Sequence, residues 1–339
     1  MAADDTAFIF FASLALVLVL LPLPWHWNAR NYGTLLYIAW TFVGNLVYFV
    51  NAIVWRGNLE NPAPVWCDIS TKLCIGVGVA LPAVSLCINR RLYNIASTTY
   101  ANSSPRTKLI QTVIDLSIGL GIPCVVMALH YIVQGHRYDI VENVGCLPTT
   151  YPTLPAIPLV FMWAPLLGLI SMVYSILSIL AFMKQRRNFK AILQSRNSHL
   201  NLSQYVRLMA LAGTDLIFDI PLSIFLLWSN VHSGLQPWIS FSNTHYGFST
   251  VDYWPAATIK AIPGAWAGIT INRWALPLAG FLFFFFFGLS GESLAFYKGV
   301  CTQGAKVFRT VRPRAKIPSS FPDSPITSVE CNTGCPCQG

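Results

Sequence analysis

Seven apolar runs separated by short polar segments set the pattern of this chain. They fall at Ala7–Leu23, Thr34–Val54, Ile69–Ile88, Ile110–Val133, Ile157–Met183, Tyr205–Trp228 and Ile269–Leu289. A helix of about 20 apolar residues crosses the hydrocarbon core of a bilayer. The pattern therefore predicts an all-α integral membrane protein, a bundle of seven transmembrane helices over residues 1–291, followed by a tail, 292–339, that is basic at first and then rich in Ser, Pro and Cys. The composition of that tail predicts disorder at its end.

Charge then sets the expected orientation. Of the 22 Lys and Arg residues, 17 fall in the tail and in the alternate gaps on one side, including Arg30, Arg90, Arg91, Arg106, Lys108, Lys184, Arg186, Arg187 and Arg207, while the other side holds five: Arg56, Lys72, Arg137, Lys260 and Arg273. Basic residues flanking membrane spans stay cytoplasmic. The N-terminus is expected outside and the C-terminus inside. On that topology the outer N-terminal segment is about six residues, too short to bind a ligand as a separate domain, and the longest outer loop, Val231–Gly268, is rich in Trp, Phe, Tyr, His and Asn. The segment Lys184–Gln204 is expected to extend the fifth helix into the cytosol, and the sequons at Asn102 and Asn201 fall inside, where neither is modified.

Composition narrows the function classes. The chain is 54% hydrophobic and 10% charged, against about 25% charged residues in soluble domains. The net charge of +9 resides in membrane-flanking loops, where anionic lipid accounts for it, and no basic–aromatic stripe is left for a nucleic acid. The first run lacks the basic start and small-residue cleavage site of a signal peptide; Asp4 and Asp5 precede it and Pro22, Pro24, Trp25 and Trp27 follow, so it is expected to be a retained helix. Cys67, Cys74 and Cys146 lie on or near the outer side, where disulfides persist. A bond from Cys146 to Cys67 is expected, with Cys74 as the alternative partner. Cys301, Cys331, Cys335 and Cys337 in the tail have no histidine beside them for a metal knuckle, and read as free or palmitoylated thiols.

The chain carries no H-E-x-x-H, G-x-S-x-G, Walker or dinucleotide fingerprint, and its histidines are not paired at metal-binding spacing, so neither an enzyme nor a metal or cofactor site is expected. Within the sixth run, Asp215 and Asp219 share one helix face beside Pro221. Carboxylates at membrane depth face the bundle interior, and a proline removes a backbone hydrogen bond and kinks the helix. These three residues read either as a switch in the sixth helix or as structural hydrogen-bonding groups. A secondary transporter is the alternative class. It needs a polar path, and the spans offer few ionisable groups.

Five stretches in order carry a family resemblance: Pro24–Asn31 (PWHWNARN), Trp66–Ile69 followed by Lys72, Arg90–Ala96 (RRLYNIA), Tyr131–Cys146 (YIVQGHRYDIVENVGC) and Arg207–Ala210. With them the chain resembles the fungal a-factor-type mating-pheromone receptors, seven-helix G-protein-coupled receptors of the plasma membrane. The resemblance covers about residues 5–300. It implies a farnesylated peptide pheromone as ligand and a heterotrimeric G protein, with a kinase cascade beyond it, as the signalling partner. The inner ends of helices three, five and six, with Arg90, Arg91, Tyr93, Arg186, Arg187 and Arg207, are then the expected contacts for the G-protein α subunit. The expected pheromone site is the outer mouth, with His136 and Arg137 from the second outer loop and Phe241, His245, Tyr246, Phe248, Tyr253 and Trp254 from the third. Arg137 offers a charge for an acidic group on the peptide, and aromatic rings offer large contact area at low entropic cost.

Overall fold

The computed structural model describes residues 2–97, 105–185, 202–232 and 234–289, with Ser293 and Tyr297, and places the first part of the chain, Met1–Leu294, in one compact unit. Arg186, Arg187, both sequons, the tail from 292 with its four cysteines, and residues 186–201 of the expected cytosolic extension of the fifth helix lie outside the described residues, Ser293 and Tyr297 apart.

Helix α1 spans Ala2–Leu20, α2 Leu23–Asn28, α3 Tyr32–Val54, α4 Pro64–Ala96, α5 Pro105–Leu116 and α6 Ile122–His130. Next come α7 (Trp163–Gln185), α8 (Leu202–His232), α9 (Phe241–Thr244), α10 (Ala256–Ala261) and α11 (Ala265–Phe283). Among the described residues, six helical stretches are long and apolar enough to cross a membrane: Asp4–Asn28, Tyr32–Val54, Pro64–Ala96, Arg106–Val133, Trp163–Lys184 and Ala265–Gly288. Helix α8, 31 residues long, is the element that falls on the sixth apolar run. The helices overrun the apolar runs because intrahelical hydrogen bonding continues into the polar flanks, where water or headgroups solvate the side chains.

Helix α4 is the centre of the bundle. It packs against α3, α6, α7 and α8, while α1 lies against α3 and α11. Its buried residues include Val77, Ala80, Ala83, Val84, Ser85 and Cys87, small enough for close helix approach, which drives association where lipid supplies no hydrophobic gradient. Two buried amides bridge helices across this interior. Asn45 on α3 donates to the Leu276 carbonyl on α11 (3.1 Å), and Asn89 on α4 donates to Ser171 on α7 (3.0 Å).

A π-turn, Ser117–Gly121, joins α5 to α6 just before Pro123. Proline has no N–H for the carbonyl four residues back, which is that of Gly119. The Trp40 indole on α3 donates to this carbonyl at 2.9 Å. A Cβ on Gly119 would lie 2.7 Å from Leu36 Cδ1 and 3.2 Å from Val84 Cγ1, so a larger residue there would require these side chains to shift. Replacing Trp40 by Phe keeps an aromatic ring but removes this donor, at an expected cost of about 0.5–1.5 kcal/mol. Adding Pro123→Ala supplies a backbone donor and should return part of the loss. Thermal midpoints of the purified single and double variants check both expectations.

To this mostly helical fold the loops add a small sheet. Strands β1 (Tyr138–Val141), β2 (Gly145–Leu147) and β3 (Val251–Trp254) form a three-stranded sheet in the order β2-β1-β3. The β1–β2 hairpin is antiparallel with Ile140 opposite Cys146, and β3 joins in parallel with Asp139 opposite Asp252. The turn needs left-handed backbone at Asn143 (φ 66°) and Gly145 (φ 91°), the conformation that Asn and Gly adopt at least cost. Asn143 also anchors the hairpin tip: its N–H donates to the Trp55 carbonyl (2.9 Å), its side-chain oxygen accepts from Gly57 N–H (2.8 Å), and its carbonyl accepts from Arg273 (3.2 Å). The sheet caps one end of the bundle, called the hairpin end below. Neither the hairpin nor its partner β3 shows in the run pattern, because both lie in loops that hydropathy reads only as polar.

Candidate functional site

Cys67, in the first turn of α4, is bonded to Cys146 of β2 with a Cα separation of 5.3 Å. Cys74 is a free thiol two turns further along α4. The bond sits in a small core of its own with Trp55, Tyr138 and Ile140. Asn51 reinforces it by donating to the Cys146 carbonyl (3.3 Å) and accepting from the Trp66 indole (2.7 Å). The second loop is thus tied down over α3 and α4.

The two expected ligand groups of that loop are both already paired. Arg137 makes a bidentate contact with Asp68 of α4, Nε to Oδ1 at 2.8 Å and a terminal nitrogen to Oδ2 at 2.5 Å. These hydrogen bonds hold its guanidinium above its ordinary pKa range. In the fold itself, the carboxylate beside Arg137 is that of Asp68. His136 bridges Asp139 (2.9 Å) and Asp252 (3.5 Å), which face each other across β1 and β3. Burial pushes the Asp139 carboxyl above the usual carboxylate range, and the His136 hydrogen bond pulls it back.

The aromatic residues of the third loop divide into two groups. Phe241, His245 and Phe248 gather on Tyr131 at the end of α6, with ring centroids 6.1, 5.0 and 5.5 Å from the Tyr131 ring. Phe241 and His245 themselves lie 3.9 Å apart, and His245 reaches the Tyr131 carbonyl at 2.9 Å. Trp254 instead packs beside the buried Val141, Val144 and Ile259 under the sheet, and Tyr253 is exposed on β3. Tyr246 is 90% exposed. The rings thus make one open wall, not a single pocket.

Sequence reasoning did not single out the polar group beside this wall. Lys72 of α4 donates to Gln134 Oε1 (2.6 Å) and contacts His130 Nδ1 (2.9 Å), with its ammonium 5.8 Å from the Tyr131 ring centroid. The other nitrogen of His130 reaches Thr150 (3.1 Å). Tyr131 and Gln134 open the Tyr131–Cys146 stretch, and Lys72 follows Trp66–Ile69, so the signal was present in the motifs but not the spatial link between them.

At the opposite end the expected partner-facing residues are placed unevenly. Arg90 turns inward to Asp115 of α5 at 2.6 Å, with the two side chains 16% and 8% exposed. Arg91 donates to the Asn31 side chain (3.0 Å), so the RRLYNIA and PWHWNARN stretches touch. His26 of the latter packs edge-on against Phe287, 4.9 Å between ring centroids. Tyr93 lies edge-on against Tyr174 of α7, and Arg207 is half-buried on α8. The buried Tyr205 hydroxyl joins Ser178 on α7 (2.8 Å) and the Leu92 carbonyl on α4 (3.3 Å), linking three helices at this end. Helix α8 continues through Pro221, while the side chains of Asp215 and Asp219 lie outside the described residues.

The helices of membrane-crossing length, packed around α4 and capped at one end by a disulfide-tied hairpin, define a multi-pass helical membrane protein. Residues 7–308 match the family described as Pheromone A receptor, and the chain belongs to that family, one of receptors, not enzymes. It is 39% identical over 316 residues to the pheromone B alpha 3 receptor of Schizophyllum commune, covering 93% of this chain and 50% of that protein. To pheromone receptor 1 of Ustilago hordei it is 34% identical over 312 residues, 91% of this chain and 86% of that protein. To the pheromone a factor receptor of Saccharomyces cerevisiae it is 30% identical over 300 residues, 86% of this chain and 61% of that protein. The chain spans about half the length of the Schizophyllum relatives it matches.

Proposed function

We propose that this protein is a plasma-membrane receptor for a farnesylated peptide mating pheromone and passes the signal to a heterotrimeric G protein. Family membership over residues 7–308 carries the reading. In it, α8 is the seventh span, the hairpin end faces outside and the opposite end faces the cytosol, in keeping with the distribution of Lys and Arg. The pheromone lies against the hairpin end, where Tyr131, Phe241, His245 and Phe248 offer an aromatic wall. The prenyl chain is held between helices or in the lipid beside them. Arg91, Tyr93 and Arg207 belong to the surface that meets the α subunit, with Arg186 and Arg187 beside them. Complementary charge steers encounter and orientation at such a surface.

The test is a reporter response in fungal cells expressing this chain, against a panel of farnesylated peptides. At least one peptide is expected to activate, and its unprenylated form to be weaker by about a hundredfold or more, since each buried CH₂ contributes roughly 0.8 kcal/mol. Arg91→Ala with Arg207→Ala should lower the response at unchanged peptide binding. Solute flux through reconstituted vesicles, without guanine-nucleotide-sensitive peptide binding, would instead favour a transporter.

A further inference from the structure

We propose that Lys72 receives a carboxylate of the peptide ligand, with the Tyr131, Phe241, His245 and Phe248 rings flanking it. This rests on the ligand reading above and adds to it the charge that the ligand must carry.

Lys72 is half-buried on α4, and its hydrogen-bond partners are neutral: a Gln134 oxygen at 2.6 Å and a His130 ring nitrogen at 2.9 Å. None of the ion pairs among the described residues includes it. Its expected partner is on the same helix. Asp68 stands four residues towards the N-terminus, the arrangement in which an acid and a lysine pair best along a helix. Both Asp68 oxygens, however, accept from Arg137. The loop has claimed the carboxylate and left the ammonium with dipoles only. A partly desolvated cation without a counter-charge gains more from an incoming anion than a fully solvated one does. The setting also selects what accompanies the anion. Tyr131 lies against the ammonium and carries the three third-loop rings, and Tyr131 and Phe241 are each about half exposed. An acidic group next to an apolar one fits this pairing of charge and ring faces.

The carboxylate comes either from an acidic side chain or from a free C-terminus, and binding to the full chain in neutral-lipid nanodiscs separates the two. Three S-farnesylated pentapeptides serve as probes: one with Glu and a C-terminal methyl ester, one with Gln and a free C-terminal carboxylate, and one with Gln and the methyl ester. At least one acidic probe is expected to bind about tenfold or more tighter than the neutral one, as for a charge-assisted hydrogen bond. Lys72→Met should remove that preference and Lys72→Arg should keep it. Arg137→Ala releases Asp68 to neutralise Lys72, so it too should remove the preference, and Asp68→Asn added to it should restore it. A preference that survives Lys72→Met overturns the assignment. Tetradecanoate and its methyl ester form a further pair that needs no farnesyl recognition. If only this pair shows a Lys72-dependent preference, the Lys72 site stands and the farnesylated-peptide reading falls. If neither the peptides nor this pair shows one, the Lys72 site falls.

Discussion

Replacing Arg273 by Met is expected to destabilise the protein by about 3–5 kcal/mol, the range for removing one partner of a buried ion pair. Arg273 lies on α11 and is 1% exposed. Its guanidinium reaches Asp4 (3.3 Å) and Asp5 (3.4 Å) at the start of α1 and the Asn143 carbonyl (3.2 Å) at the hairpin tip, and it lies 4.6 Å from the Phe8 ring centroid. One side chain therefore ties the first helix, the helix of the last apolar run and the sheet together. The variant leaves the Asp5 carboxylate, 6% exposed, without a counter-charge. The two acids differ in environment: the Asp5 side chain is 8% exposed and that of Asp4 is 53%. Asp5→Asn in the Arg273→Met background should thus recover much of the loss. Asp4→Asn alone should cost less than about 1 kcal/mol, as an exposed pair does. Thermal unfolding in nanodiscs measures all three. A midpoint for Arg273→Met equal to that of the parent would show that the buried charge is compensated elsewhere.

Breaking the Cys67–Cys146 bond is expected to have the next largest effect. The bond closes a loop of 79 residues, for which chain entropy alone gives roughly 4–5 kcal/mol. Membrane insertion of the helices inside that loop already restricts the unfolded chain, so about 2–4 kcal/mol is the expected loss, within the usual range for a disulfide. Cys67→Ser should lower the thermal midpoint by roughly 5–10 °C. The hairpin should exchange its amide protons faster, because β1 and β2 lose their covalent anchor to α4. Cys146→Ser should match it, and the double variant should be no worse than either single one. Cys74→Ser should leave the midpoint nearly unchanged, since that thiol is free. Additive losses in the double variant would mean that packing around each cysteine, not the bond, supplies the stability.

Both variants act on the surface that carries the proposed ligand site, but in different ways. Arg273 and the disulfide hold the hairpin on the bundle. The Arg137–Asp68 pair, also made by this loop, keeps Lys72 without a carboxylate partner. Loss of the hairpin anchor is therefore expected to weaken ligand binding beyond its effect on stability, which affinity at a temperature well below the midpoint would measure.

The sequence by itself determined the helices, because a bilayer admits a single chain only where about 20 residues can satisfy their backbone internally. Apolar run length was therefore enough to locate the six stretches long and apolar enough to cross a membrane, and the helix α8 on the remaining run, and the five motifs were enough to indicate the family. Local sequence also marked the aromatic third loop and the cysteines. It did not determine which groups meet. Cys67 and Cys74 lie two turns apart on one helix, about 10 Å in depth, and only the height of β2 above α4 selects Cys67. The sheet needed β3, far along the chain from β1, and such pairing leaves no periodic trace in a polar loop. Arg137 stood out in the sequence as a charge for a ligand, and Lys72 did not. The fold brings Arg137 to Asp68, a contact across 69 positions of sequence, and leaves Lys72 with Gln134 and His130. Charge pairing depends on distances of a few ångströms, which the packing of α4 against the hairpin loop sets and no local pattern encodes.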